Sequence, residues 1–295
     1  LLEAPDYQGW LRNLNINIPK IIRINSPQKI GFDSSIDLNN LPKSIISEDK
    51  ALRYADYIIS CGESVYEAAK RTYVNNLNES TQIEIIYNCI DTDFWSKKKT
   101  KPNNSINIVF AGRISTKKGV IELIKSWKIV IEKVPNARLI LLGRDSKYGE
   151  SNSMIHQLEQ LLPKNIRDTV IFKGFLKAPE ILKYFQDDYI CVFPSPRDAF
   201  CIVVLEAMAT GTPVIYSKIE PGYEIIEDGI NGLLCDPHNP EDIAEKIICL
   251  INDKEMMKSI GINGRNHVEE KFSIDTIIDQ NIQYYKSCIN DYYNK

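Results

Sequence analysis

The stretch S-P-R-D-A-F-C-I-V-V-L-E-A-M-A-T-G (195–211) carries two carboxylates in a D-x7-E spacing. Asp198 lies on a loop that follows a proline-bounded turn, and Glu206 lies within an otherwise apolar, helix-like run. A carboxylate buried without a partner costs several kcal/mol or titrates. An ionised one accepts two hydroxyl hydrogen bonds, which suits a vicinal diol such as a ribose. The helix that begins near Cys201 has first amides without intrahelical acceptors, a place where an anion can sit. The plainer reading makes Asp198 a helix-approach acid and Glu206 a partly exposed helix residue.

A second stretch, F-A-G-R-I-S-T-K-K-G (110–119), sets two cations at the carboxyl end of a strand. Arg113 can fork two phosphate oxygens, and Lys118 supplies a point charge. Neither a G-x-G-x-x-G fingerprint nor a Walker loop is present here. The alternative is a strand–helix turn with solvated cations. A third stretch (211–234) reads mainly as scaffold. Thr210-Gly211 stops a helix, Pro213 starts a strand that needs no amide there, and D-G and N-G make turns.

Positioning these groups requires a frame, and strand-like and helix-like segments alternate through the chain. Strands are expected at 20–25, 56–60, 83–88, 106–111, 138–142, 169–173, 189–193, 212–216 and 232–235. Helices are expected at 48–55, 63–71, 119–133, 151–162, 179–186, 202–209, 240–251, 255–270 and from Ser273 to about Tyr293. No strand is expected in the opening L-L-E-A-P-D-Y. The alternation predicts an α/β protein of two doubly wound, Rossmann-like domains facing a cleft, with ligands at the carboxyl ends of the strands. The polar stretch S-K-K-K-T-K-P-N-N-S (96–105) divides them. Residues 1–100 form the first domain, 101–272 the second, and 273–295 a C-terminal helix that packs back on the first.

Composition narrows the function classes. Over 295 residues the net charge is −3, and no basic field points to nucleic acid. The lysine-rich 97–101 reads as solvated linker. Seven cysteines, without a C-x-x-C pair and mostly within apolar runs, fit reduced thiols of a cytoplasmic protein. Three histidines far apart offer no metal site. No apolar run reaches the ~20 residues that span a bilayer, so any membrane contact is expected to be peripheral, at the inner face.

Taken in order, F-A-G-R…K-G, F-P-S…D-x7-E-A-M-A-x-G-x-P-V-I and E-I-I-E-D-G-I-N-G-L-L resemble the retaining nucleotide-sugar glycosyltransferases of family four, which have the GT-B fold. I-I-Y-N-C-I-D-T-D-F-W (85–95) looks like that family's N-G-V-D-x-x-x-F segment. The resemblance is strong over residues 83–270 and weak over 1–82. It implies transfer of a sugar, with retention, from a UDP- or GDP-sugar to the hydroxyl of a carbohydrate or lipid-linked acceptor, in polysaccharide or glycolipid assembly and without a metal. Arg113 and Lys118 would hold the donor diphosphate and stabilise the charge that develops on it. Glu206 would bind the ribose, and Asp198 would bind hydroxyls of the donor sugar. Amides of Phe200, Cys201 and Ile202 would contact sugar and phosphates. The loop G-F-L-K-A-P-E would hold the base near Leu176, with Arg144 beside the nucleotide.

This sequence departs from the family's pattern in several places. Asp198 stands for the usual glutamate and is one methylene shorter. Cys201 and Cys89 stand for glycines. Asn25 occupies the place of a histidine on the acceptor side, where it can bond a hydroxyl but cannot titrate near neutrality. Alternatively, Asn25 is a turn former before Ser26-Pro27. The family's glycine-rich loop is absent before residue 20, so the first domain is expected to be incomplete at its N-terminus. Two other readings stay open: a nucleotide-sugar-binding module without transfer activity, and a GT-B epimerase relative.

Overall fold

The computed structural model describes residues 1–25, 43–72, 81–96, 106–150, 152–185 and 189–294. The chain divides into two compact units, Leu1–Cys89 with Ile274–Lys295, and Ile90–Ser273. The division falls ahead of the polar stretch at 96–105. Residues 97–105 of that stretch, including the lysine-rich segment, lie outside the described residues, as does Ser26-Pro27.

In the first unit, β1 (Leu2–Pro5), β2 (Lys20–Ile24), β3 (Tyr57–Ser60) and β4 (Gln82–Ile85) form a parallel sheet in that order. The opening residues do make a strand, contrary to the expectation. Four residues carry no period to read, and β1 exists because Leu2–Pro5 pair with residues 20–23. Glu3 reinforces the pairing by accepting from Arg23 Nε at 2.8 Å. Ile21, Ile22, Ile24, Tyr57, Ile58 and Ile59 are all buried, as expected of parallel strands covered on both faces. The helices of this unit are α1 (Lys43–Leu52) and α2 (Glu63–Thr72). A C-terminal helix, Ile274–Asn294 (α10 below), also belongs to it, and its Ile277 and Cys288 cluster with Ile21, Tyr57, Ile59 and Ile86. The Tyr57 hydroxyl donates to Asp291 at 2.7 Å.

The second unit has six parallel strands: β5 (Ile106–Ala111), β6 (Ala137–Leu142), β7 (Val170–Gly174), β8 (Tyr189–Phe193), β9 (Val214–Ser217) and β10 (Leu233–Cys235). Their order is β10-β9-β8-β5-β6-β7. The chain runs outward from β5 to β7, then returns to lay β8 against the other side of β5. That reversal is the switch point at which such sheets bind ligands. The connecting helices are α3 (Val120–Lys133), α4 (Met154–Leu161), α5 (Ala178–Ile181), α6 (Ile202–Ala209), α7 (Gly222–Ile225), α8 (Pro240–Asn252) and α9 (Lys254–Lys271). Asp145 accepts from the amides of Met154 and Ile155 and from Ser153 Oγ, which fastens the start of α4. Trp127 is fully buried in the core and donates to Thr169 Oγ1 at 2.9 Å.

A single glycine sets the approach of the two central loops. Gly119 takes φ +69°, and a Cβ on it would lie 1.8 Å from the Pro194 carbonyl oxygen. Only glycine lets the turn after β5 press against the loop after β8.

Candidate functional site

Both central strands end in the loops that carry the expected groups. After β5 come Gly112, Arg113 and a 3-10 turn over Thr116–Lys118. After β8 the chain passes Pro194 and Asp198, then enters α6 with Cys201 as its N-cap. Lys118 Nζ meets Asp198 Oδ2 at 2.5 Å, with side-chain exposures of 29% and 13%. The Ala199 amide donates to Asp198 Oδ1 at 3.1 Å. Burial works against the Lys118 ammonium, but the Asp198 carboxylate outweighs it and holds the ammonium above its ordinary range.

Cys201 is 5% exposed, and burial first, with Asp198 beside it, pushes its thiol far up. It is therefore a neutral thiol, not a nucleophile. Phe200 is buried, its ring centroid 6.1 Å from that of Phe272. Ile202, the first residue of α6, is 42% exposed, and its amide donates to the Phe200 carbonyl at 3.1 Å. Glu206 is half-buried and makes no hydrogen bond or ion pair with a described residue. Burial raises its carboxyl to about 7.

Arg113 is exposed and faces a second feature. A pocket of about 300 Å³ opens at the carboxyl ends of β5, β6 and β7, where Arg113, Arg144, Phe175 and Leu176 line it with Gly112, Leu142, Gly143 and Ile181. The Arg144 guanidinium stands 4.3 Å from the centre of the Phe175 ring. Gly143 backs onto the β5 loop, since a Cβ there would sit 1.7 Å from the Gly112 oxygen. An exposed aromatic with a guanidinium on one face and a cavity beside it offers planar stacking.

The structure therefore brings Lys118, Asp198 and Cys201 together and groups Arg113, Arg144 and Leu176 around a pocket. Asn25 belongs to the other unit. It follows β2, half-buried, and its carbonyl accepts from Cys61 Sγ at 3.4 Å. Phe175 was not singled out in the sequence, although an aromatic just past the glycine of G-F-L is its signal. Tyr216, which ends up beside Cys201 and Asp198, had no signal, because a tyrosine in T-P-V-I-Y reads as core. Among the described residues no group of three or more His, Cys, Asp or Glu is placed to hold a metal ion. Nor, among them, is any helix long and apolar enough to cross a membrane.

Residues 91–267 match the protein family described as "Glycosyl transferases group 1", nearly the whole of the second unit. An uncharacterised glycosyltransferase of Methanocaldococcus jannaschii is 27% identical over 94% of this chain and 73% of its own length. The capsular polysaccharide biosynthesis glycosyltransferase CapM of Staphylococcus aureus is 30% identical over 64% of this chain and 48% of its own. The chain thus spans between about half and three quarters of these relatives. HepE from Anabaena, solved in complex with UDP-glucose, superposes with a TM-score of 0.74 at 22% identity, covering 91% of this chain and 72% of its own. The fold is accordingly GT-B.

Proposed function

The chain belongs to the group 1 glycosyltransferases, and from that premise we propose that its second unit holds a nucleoside-diphosphate sugar for transfer, with retention, to a carbohydrate or lipid-linked hydroxyl. The observation that carries the reading is the Lys118–Asp198 pair at the switch point, 2.5 Å long and mostly buried. A cation and a carboxylate held there in the free protein can each take a different part of one donor. HepE is solved with UDP-glucose, and CapM is named for capsular polysaccharide assembly. Those are the donor and product classes proposed for this chain. A UDP- or GDP-sugar is the donor, and seven free cysteines fit a reducing, cytoplasmic setting.

In this mechanism the diphosphate competes for Lys118, and the ammonium passes from Asp198 to a phosphate oxygen. Arg113 adds a second cation. Together they neutralise the charge that grows as the bond from the anomeric carbon to the diphosphate breaks, so no metal is needed for that step. Asp198, released from Lys118, accepts from hydroxyls of the sugar. Glu206 accepts from the ribose diol. The base enters the pocket of Arg113, Arg144, Phe175 and Leu176, where a stacking face and main-chain groups receive it. The acceptor hydroxyl attacks from the side the diphosphate leaves and gives its proton to a departing phosphate oxygen. Asn25 is assigned to the acceptor side as a hydrogen-bonding group that takes no proton.

Incubating the protein with a panel of UDP- and GDP-sugars and acceptor glycans, and following release of nucleoside diphosphate, tests the proposal. Acceptor-dependent release is expected with at least one donor, with the anomeric configuration kept. Donor binding without any release would favour the binding-module reading.

A further inference from the structure

Tyr216 is 1% exposed, and its hydroxyl oxygen is sealed from solvent without a hydrogen-bond partner. A buried, unpaired hydroxyl is costly and calls for a reason. Its place in the fold supplies one. Tyr216 lies in β9 directly opposite Phe193, the last residue of β8. From Phe193 the chain runs straight into the loop that carries Asp198. Cys201, the N-cap of α6, closes the same corner with its thiol buried.

These side chains sense one another. Burial raises the Tyr216 phenol, with Cys201 and Asp198 adding to it. Burial raises the Cys201 thiol too, again with Asp198 adding to it. Both groups therefore keep their protons at neutral pH and can only be donors or neutral acceptors beside a carboxylate. Asp198 is thus held by a cation, Lys118 at 2.5 Å, and has two neutral protonated groups in its surroundings.

We propose that Tyr216 and Cys201 are positioning residues for Asp198, fixing how far its carboxylate reaches and so which sugar of a nucleotide-sugar donor is accepted. The inference rests on the donor-site reading above and deepens it. When a diphosphate draws Lys118 away, Asp198 loses its ion-pair partner. A carboxylate on a single methylene would then be free to turn. The thiol and the phenol keep it aimed by offering hydrogen bonds from the protein side, and the Tyr216 hydroxyl, idle while Lys118 is engaged, gains its use in the donor-bound state. The sugar is read at a distance set by these neighbours of the acid as well as by the acid's own length.

The test is calorimetric titration of the full chain with UDP, GDP, UDP-glucose and GDP-mannose, for the wild type, Tyr216→Phe, Cys201→Ala, Asp198→Ala and the Tyr216→Phe/Asp198→Ala double variant. Tyr216→Phe is expected to leave affinity for the free diphosphate within about twofold and to weaken the matching sugar nucleotide by about tenfold, the loss of one buried hydrogen bond. Cys201→Ala should shift the preference between the two sugar nucleotides in the same sense. In the Asp198→Ala background the Tyr216 substitution should have no further effect on sugar-nucleotide binding. A Tyr216→Phe that weakens diphosphate and sugar nucleotide equally, or acts fully without Asp198, marks a merely structural tyrosine and overturns the inference. So does a Tyr216→Phe that binds every probe as the wild type does, while leaving the donor-site reading intact. A wild type that binds none of the four probes overturns both.

Discussion

Burial raises the Glu206 carboxyl to about 7, so near neutrality the free protein holds it about half protonated. Only the ionised form accepts from both hydroxyls of a ribose diol. Affinity for UDP or GDP should therefore rise from pH 6 to pH 8 by more in the wild type than in Glu206→Gln, whose profile reports the nucleotide's own titration alone. Parallel profiles in the two proteins would remove Glu206 from the ribose. The stability consequence has a definite sign. An acid whose folded pKa lies above its unfolded value favours folding below the unfolded pKa, and that advantage is lost as pH rises through 7. Relative to Glu206→Gln, the wild type should lose roughly 3 kcal/mol between pH 4.5 and 8, as chemical denaturation would read. Lys118→Ala leaves Asp198 mostly buried without its cation, which should cost about 2 kcal/mol at pH 7. Free diphosphate should bind at least about tenfold more weakly to that variant. A Lys118→Ala protein with wild-type diphosphate affinity would separate the cation from the phosphates.

Among the elements, β5 and α6 were legible to the residue: β5 is an apolar run between the polar stretch 96–105 and Gly112, and Thr210-Gly211 stops α6. β1 was not, since four residues carry no period and only pairing with β2 makes them a strand. The 3-10 turn over Thr116–Lys118 is the element on which the site depends most. Its C-cap Gly119 is packed against Pro194 at φ +69°. Gly119→Ala should destabilise by more than about 2 kcal/mol and carry Lys118 away from Asp198. Gly229 is a control at the same kind of dihedral, φ +79°, with nothing within 4 Å of an added Cβ. Gly229→Ala should cost about 1 kcal/mol, the backbone penalty alone, and leave diphosphate binding unchanged. Equal losses at the two glycines, measured by thermal denaturation, would show that the close approach of the loops carries no weight.

At the scale of the molecule, the second unit presents its proposed donor groups at the carboxyl edge of one sheet, and the sequence conveyed most of that arrangement. The order of motifs pointed to the fold, and V-V-L-E-A-M-A pointed to a buried acid, which the structure leaves half-buried. Contacts between distant positions stayed hidden. Lys118 and Asp198 are 80 residues apart, and nothing local to either specifies the other. Tyr216 reads as core in any strand, and its idle hydroxyl shows only once β9 lies beside β8. The donor-site claim is tested most directly by comparing Asp198→Ala and Glu206→Ala in calorimetric titrations with a free nucleoside diphosphate and with its sugar conjugate. Glu206→Ala should weaken both ligands by a similar factor, whereas Asp198→Ala should spare the free diphosphate and weaken only the sugar nucleotide. An Asp198→Ala protein that loses the free diphosphate as fully as Glu206→Ala does would contradict the division of one donor between the two acids.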